Sequence, residues 1–292
     1  MGLLNRLFGK NKNIRKREGN PDVYDMPDEN ERMNWAMEKA RLTLHYFEEC
    51  VANPKEGQSY MSLKARIEDN GKIEHIWLME PSFDNDGNIF GRIGNEPIDV
   101  TNVKINENIG ITISEVSDWM IVENGKLIGG YTIRAIRDGI APSELANFDK
   151  SLGGMYIDEG EDYFEVNFET PEGAILSLEE AYNNDDLEAA VNSKNFYKEA
   201  EFMLQKTVKF EIDEDLITKT ADLLKLSFEN SMNDEGMPKF TGIKRAFRRQ
   251  FITDNHCLVT EICFYPDGGK SIEKLNTFRD NDEWKVLGFS EE

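Results

Sequence analysis

Asp84, Asp86 and Asn88 in the stretch FDNDGN alternate like the oxygen ligands of a calcium loop. An EF-hand loop also needs glycine at its sixth position, an acid at its twelfth and helices on both flanks. Counted from Asp84, glycine stands fourth as Gly87, the twelfth residue is Asn95, and the flanks alternate like strands. The stretch therefore reads as a turn, where Asp-Gly supplies the backbone geometry of a hairpin. Asp280-Asn281-Asp282-Glu283 takes the same reading. PDGGKS fails as a phosphate loop: Phe264 stands where the first glycine belongs, and a strand pattern follows Lys270. His75 has no second histidine or cysteine nearby; between Ile73 and Trp77 it reads as a packed, hydrogen-bonded side chain. His45 lies on the polar flank of a helix. Cys50, Cys257 and Cys263 form no CxxC pair, and there is no GxSxG nucleophile. No metal and no cofactor is expected.

Two sets of residues keep chemical interest. Glu261 shares strand parity with Cys257, Val259, Cys263 and Tyr265, which sets a carboxylate on an apolar face. Arg245 and Arg249 share a face of the preceding strand, with Phe247 between them, and His256 lies near the start of the strand of Glu261. A buried Glu261 either pairs with such an arginine, the default, or takes a raised pKa suited to acid–base work. Arg245, Arg249, His256 and Glu261 are the candidate pocket. In GRIGNEPIDV, Arg92, Asn95 and Glu96 crowd between strands beside glycines, and Asp118-Trp119 forms a comparable cluster. These five are the candidate recognition surface. The structural alternative is a bend in which Glu96 caps backbone donors.

The elements that must position these residues follow from periodicity. Residues 10–30 are polar, with Pro21 and Pro27, and read as a linker. From Glu31, Met33, Ala36, Met37, Ala40, Leu44, Phe47 and Val51 recur at helical spacing until Asn53-Pro54. Met61, Leu63, Ala65 and Ile67 then alternate as a half-buried strand, Asn70-Gly71 turns it, and IEHIWLME returns. Further strands are expected at 88–94, 97–105, 109–114 and 119–123, and Asn124-Gly125 makes a second hairpin leading into GGYTIRAI. The first domain reads as one helix against a strongly bent antiparallel sheet. Residues 141–169 show little helical period and read as an acidic connection with an added strand at Tyr163–Phe168. Thr170 caps a helix with Pro171 at its first position and Ile175, Leu178, Ala181 and Tyr182 inward. A short helix follows Asp186, and a longer one near Asp213 carries Leu216, Ile217, Thr220, Leu223, Leu224 and Phe228. Four strands close the chain.

The blocks MNWAMEKARLTL, HIWL, GRIGNEPIDV, ISEVSDWM and NGKLIGGYTIR resemble the signature blocks of the YegJ-like bacterial family of unknown function, over about residues 31–140. The resemblance implies fold kinship and a bacterial origin and brings no catalytic residues. PEGAILSLEEAYNNDDLEAAV and NTFRDNDEWKVLGF, in a helices-then-meander order, resemble the nuclear-transport-factor-two-like cone over 170–292. Members of that superfamily include enzymes, small-molecule binders and dimerisation modules, so the likeness leaves function open. The expected architecture is α+β: a basic tail and linker at 1–30, a YegJ-like domain at 31–140, a connection at 141–169, and a cone-like domain at 170–292.

Charge narrows the partners. With 56 acidic and 34 basic residues the net charge is −22, a field that repels nucleic acid and anionic membranes and attracts basic proteins. The start, MGLLNRLFGKNKNIRKR, is the exception, with six basic residues and no acid. It is too short in apolar length for a secretory segment and departs from the myristoylation pattern at Arg6. Residues 1–17 read as a basic tail or a weak peripheral membrane contact. Three unpaired cysteines fit a reducing cytoplasm. The leading expectation is a non-catalytic cytoplasmic bacterial binding protein, an acidic immunity-type inhibitor of a basic toxin or nuclease. The alternatives are a small-molecule-binding or acid–base enzyme built on the second domain, and a membrane-peripheral scaffold.

Overall fold

A computed structural model of the chain describes residues 14–15, 23–24 and 31–290. The basic tail therefore lies outside the described residues, apart from the paired backbone of Ile14–Arg15 and Val23–Tyr24. The chain divides into two compact units, residues 1–160 and 161–292. The proposed connection is thus split: 141–160 belongs to the first unit, where Leu145–Ser151 is a helix, and 161–169 belongs to the second. Phe148 explains the helix: it is buried against Met120, Leu127, Ile133 and Ile157, and that packing overrides a weak local period.

The first unit begins with α1 (Glu31–Leu42) and α2 (Leu44–Ala52), where one helix was expected. Thr43 interrupts it. Its hydroxyl donates back to Lys39 O, while the indole of Trp119 donates to Ala40 O and to the Thr43 hydroxyl, both at 3.1 Å. A side chain inserted among the helix carbonyls is a standard cause of a kink. β1 (Gln58–Asp69) and β2 (Lys72–Phe83) pair in register across Asn70-Gly71, both at positive φ. β3 (Ile89–Ile93), β4 (Asn108–Ile111), β5 (Val116–Glu123) and β6 (Lys126–Gly129) complete an antiparallel sheet of order β4-β3-β2-β1-β5-β6. The expected strand at 97–105 is absent; turns and bends occupy that stretch. Register shifts at Ser59/Ser62, Lys64/Ala65 and Met79/Ser82 supply the bend, since bulges sharpen twist. One sheet face carries Leu63, Ala65, Ile76 and Leu78 in the core, to which α1 and α2 contribute Ala40, Leu44 and Phe47. Trp77 and Met120, on the other face, pack with residues of α3 (Tyr131–Arg137) and α4 (Leu145–Ser151).

The second unit runs helices first, strands last, so the chain as a whole is α+β. α5 (Pro171–Asn183) starts as expected, with the Thr170 hydroxyl accepting from Gly173 N at 3.0 Å. α6 (Leu187–Asn192), α7 (Phe196–Thr207) and α8 (Glu214–Glu235) follow, each with an Asp or Asn side chain accepting from its first turn. On α8, Ile217 and Ala221 are buried whereas Leu223 points outward. β7 (Lys244–Thr253), β8 (His256–Phe264), β9 (Lys270–Asp280) and β10 (Glu283–Phe289) form a meander of order β10-β9-β8-β7. Tyr163–Phe168 is not a strand. Asp162 instead gives its N–H to Arg245 O and takes that of Phe247, both at 2.7 Å, along the β7 edge. At the other edge Val286 exchanges hydrogen bonds with Ser193 and Asn195.

Candidate functional site

In the first unit the five candidate surface residues separate. Asp118 and Trp119 are 0% exposed and are withdrawn from any recognition surface. Asp118 sits on β5 and receives four donors at 2.5–3.0 Å: the N–H of Trp119 beside it and, at the start of α3, the N–H groups of Tyr131 and Thr132 and the Thr132 hydroxyl. It caps a helix whose own N-cap is Gly130 in the left-handed region, a position without a side chain to accept those donors. Burial pushes the Asp118 carboxyl above the usual range, against the pull of Lys64 and of the Thr132 and Trp119 donors. Trp119 stacks on Phe47 and meets Tyr131 edge-on, with ring centroids at 5.5 Å in each case. Arg92 is surface-placed and forms a two-pronged contact with Glu80, at 2.7 and 3.4 Å, plus one to Asn106. Asn95 accepts the Trp77 N–H at 3.1 Å. Glu96 is exposed, and Glu74 caps backbone donors beside it. Its buried carboxylate takes the N–H groups of Ile98, Asp99 and Val100.

In the second unit a helix and two strands bring together a network of five charged residues. Seven residues on an α-helix make nearly two full turns, so Glu172 and Glu179 share one face of α5 about 10 Å apart. Arg245 and Arg249 share one face of β7 at about 13 Å. The two elements match end to end: Arg245 Nε lies 2.6 Å from Glu179, and Arg249 Nη1 lies 3.7 Å from Glu172. Glu261 of β8, diagonal to Arg245 in the ladder, comes within 3.2 Å of the same Nε. Arg245 also donates to Ile243 O and stacks over Phe240. Three carboxyls thus meet two guanidinium groups in a buried place.

That imbalance has a protonic consequence. Burial, with the adjoining Glu261 charge, pushes the Glu179 carboxyl up to about 9, although Arg245 opposes the shift. The Oε1 atom of Glu179 is buried without a donor. Burial likewise pushes the Cys257 and Cys263 thiols up to about 12, so neither is a ready nucleophile. His256 does not join the group. It lies five residues along β8 from Glu261, its Nε2 is 3.0 Å from Asn276 Oδ1, and its ring packs on Phe202. The sequence reading of Glu261 beside Arg245 missed the two helix acids. Their signal was a seven-residue spacing flanking the inner stripe of Ile175 and Leu178. Among the described residues no group of His, Cys, Asp and Glu is arranged to hold a metal ion, and no helix is long and apolar enough to cross a membrane.

Fold and site together define a two-unit α+β protein whose buried acids are held by backbone donors in the first unit and by arginines in the second. Residues 30–156 match a family described as "Uncharacterized protein conserved in bacteria (DUF2314)". The match falls within the first unit and supports its likeness to a YegJ-like bacterial family of unknown function. Over 101 residues the chain is 39% identical to the uncharacterized protein YegJ of Escherichia coli K12, covering 35% of this chain and 64% of that protein. Over 151 residues it is 31% identical to a Neisseria meningitidis serogroup B protein named for ankyrin repeats, covering 49% of this chain and 59% of that one. The chain thus spans less than two thirds of the length of these relatives. No solved structure matches it.

Proposed function

We propose that the protein is a non-catalytic, cytoplasmic bacterial binding protein whose acidic second unit, a cone-like module, engages a basic protein and neutralises it, as an inhibitor of a toxin or nuclease would. The observation that carries this reading is the helical layer of the second unit. Glu180, Asp185, Asp186, Glu188, Asp213 and Glu214 all point to solvent there. Residues 161–292 hold 29 acidic and 15 basic residues, against 27 and 19 in residues 1–160. An acidic surface fits a cationic active site as a phosphate mimic, and long-range attraction speeds the encounter. The test is capture from source-cell extract at about 0.05 M salt, then binding kinetics up to about 0.5 M, over which the Debye length falls from about 14 Å to about 4 Å. A basic partner whose on-rate falls with salt is expected. Recovery of acidic or neutral partners alone, with salt-independent binding, overturns the reading.

One observation favours a second reading, acid–base chemistry on a small molecule in the second unit. A buried carboxyl whose pKa is pushed up to about 9, with a second carboxyl beside it, is an arrangement that general acid–base enzymes use. A thermal-shift survey of small carboxylic acids and amines, repeated on Glu261→Gln, tests it. Stabilisation by a compound that the variant loses supports this reading; no stabilisation by any compound removes it.

A further inference from the structure

The outward face of the second sheet carries the opposite sign to the unit around it. Along β7, β8 and β9 the residues that alternate with Arg245, Glu261 and Leu275 point away from the buried network. The register sets them in rows across the three strands. Lys244 and Lys270 flank Phe264 in one row; Ala246, Ile262 and Ile272 form the next; Arg248 and Lys274 flank Thr260 in the third. All four cations are exposed, Ile272 is 57% exposed, and Ile262 is buried among its neighbours. No carboxylate occupies any of these nine positions, although residues 161–292 are nearly twofold richer in acids than in bases. Lys244 also bridges to Glu161 at 2.9 Å, at the rim of the face.

The dimensions select an occupant. Rows on a strand lie two residues apart, about 6.8 Å, so the cation rows are separated by about 13 Å, and three strands span about 10 Å. An α-helix is about 10–12 Å across with its side chains. Laid along the isoleucine row, it sets its apolar stripe on the exposed Ile272 and its two flanks over the cation rows. A second copy meeting this face with the same face would set cations against cations. The fold already packs a helix against this set of positions: at the far end of the same strands, Phe202 of α7 lies against His256 and Phe278.

The geometry points to the outward face of β7, β8 and β9 as a docking surface for an amphipathic helix of a partner protein, apolar along one stripe and lined with Asp or Glu on both sides of it. The contact is separate from the acidic helical layer and has the opposite polarity. Apolar burial of Ile272 supplies attraction, and the two cation rows fix the orientation of the helix and reject basic segments.

The test uses the full chain and fluorescence anisotropy with a labelled synthetic helix of about 14 residues, leucines at three- and four-residue spacing and glutamates on both flanks. A peptide with lysine for each glutamate, and a short single-stranded DNA, are the alternative probes. Arg248→Glu with Lys274→Glu, and separately Ile272→Asp, change exposed positions; circular dichroism checks that each variant is folded. The expected result is binding of the acidic peptide alone, weakened by salt and reduced at least about tenfold in either variant. Failure of the acidic peptide to bind, equal binding by the variants, or preference for the lysine peptide or the DNA overturns the proposal. So does a dimer in sedimentation that Ile272→Asp dissociates, because the face would then belong to a second copy.

Discussion

The two units bury carboxylates in opposite ways. In the first, Asp118 and Glu74 receive backbone N–H groups, three each, and thereby pin the start of α3 and the 98–100 segment. In the second, Glu172 faces Arg249, while Glu179 and Glu261 face Arg245 and each other. A backbone donor is fixed in place, so the first arrangement fixes chain geometry. Side-chain partners titrate and can be exchanged, so the second ties packing to protonation. One sequence thus holds buried acid fixed by backbone donors and buried acid matched to side-chain cations.

The largest effect that would break this contrast is at Asp118. Asp118→Ala leaves buried donors without an acceptor and should destabilise the first unit by about 3–5 kcal/mol. Denaturant unfolding, with hydrogen exchange at the amides of Tyr131 and Thr132, checks it; an unchanged midpoint would mean that the cap is dispensable. Arg245→Met comes next, at about 3 kcal/mol from the second unit, because it strands Glu179 and Glu261 without a cation. Adding Glu261→Gln should recover part of the loss, which a double-mutant comparison measures.

A smaller, pH-graded effect sharpens the comparison. The folded pKa of Glu179 lies above its unfolded value, so the folded chain keeps a proton that the unfolded chain releases. The stabilisation is complete below pH 4.5 and is lost progressively as pH climbs toward about 9. One such proton gives a slope of at most about 1.4 kcal/mol per pH unit. Denaturation midpoints across this window should therefore decline for the second unit, and Glu179→Gln should flatten the decline. A slope of the same size in the variant would assign the proton elsewhere. The smallest effect is at Arg92. Its contact with Glu80 is screened by water, and Arg92→Ala should leave the melting temperature within replicate scatter.

How much the sequence disclosed differs by element. The β1–β2 hairpin was plain because one face is polar, so alternation and Asn70-Gly71 agree. β5 hid its character: both of its faces are covered, Val116 to Ile121 are all buried, and Asp118-Trp119 consequently looked like a polar cluster on a surface. The break at Thr43 depends on an indole 76 residues away, which no local spacing records. Arg245 and Glu261 were legible as a pair because adjacent strands carry them on the same side. Glu172 and Glu179 reach that site from a helix more than 60 residues earlier, and only tertiary packing joins them.

The edges of the second sheet have a bearing on self-assembly. Ser193 and Asn195 satisfy Val286 on β10, and Asp162 satisfies Arg245 and Phe247 on β7. Those backbone groups cannot template a foreign strand, which is how natural sheets avoid edge-to-edge growth into fibrils. The chain can then accumulate at high concentration while its sheet faces stay available. Loosening either clasp, for example by Asp162→Ala, would trade that protection for a sticky border.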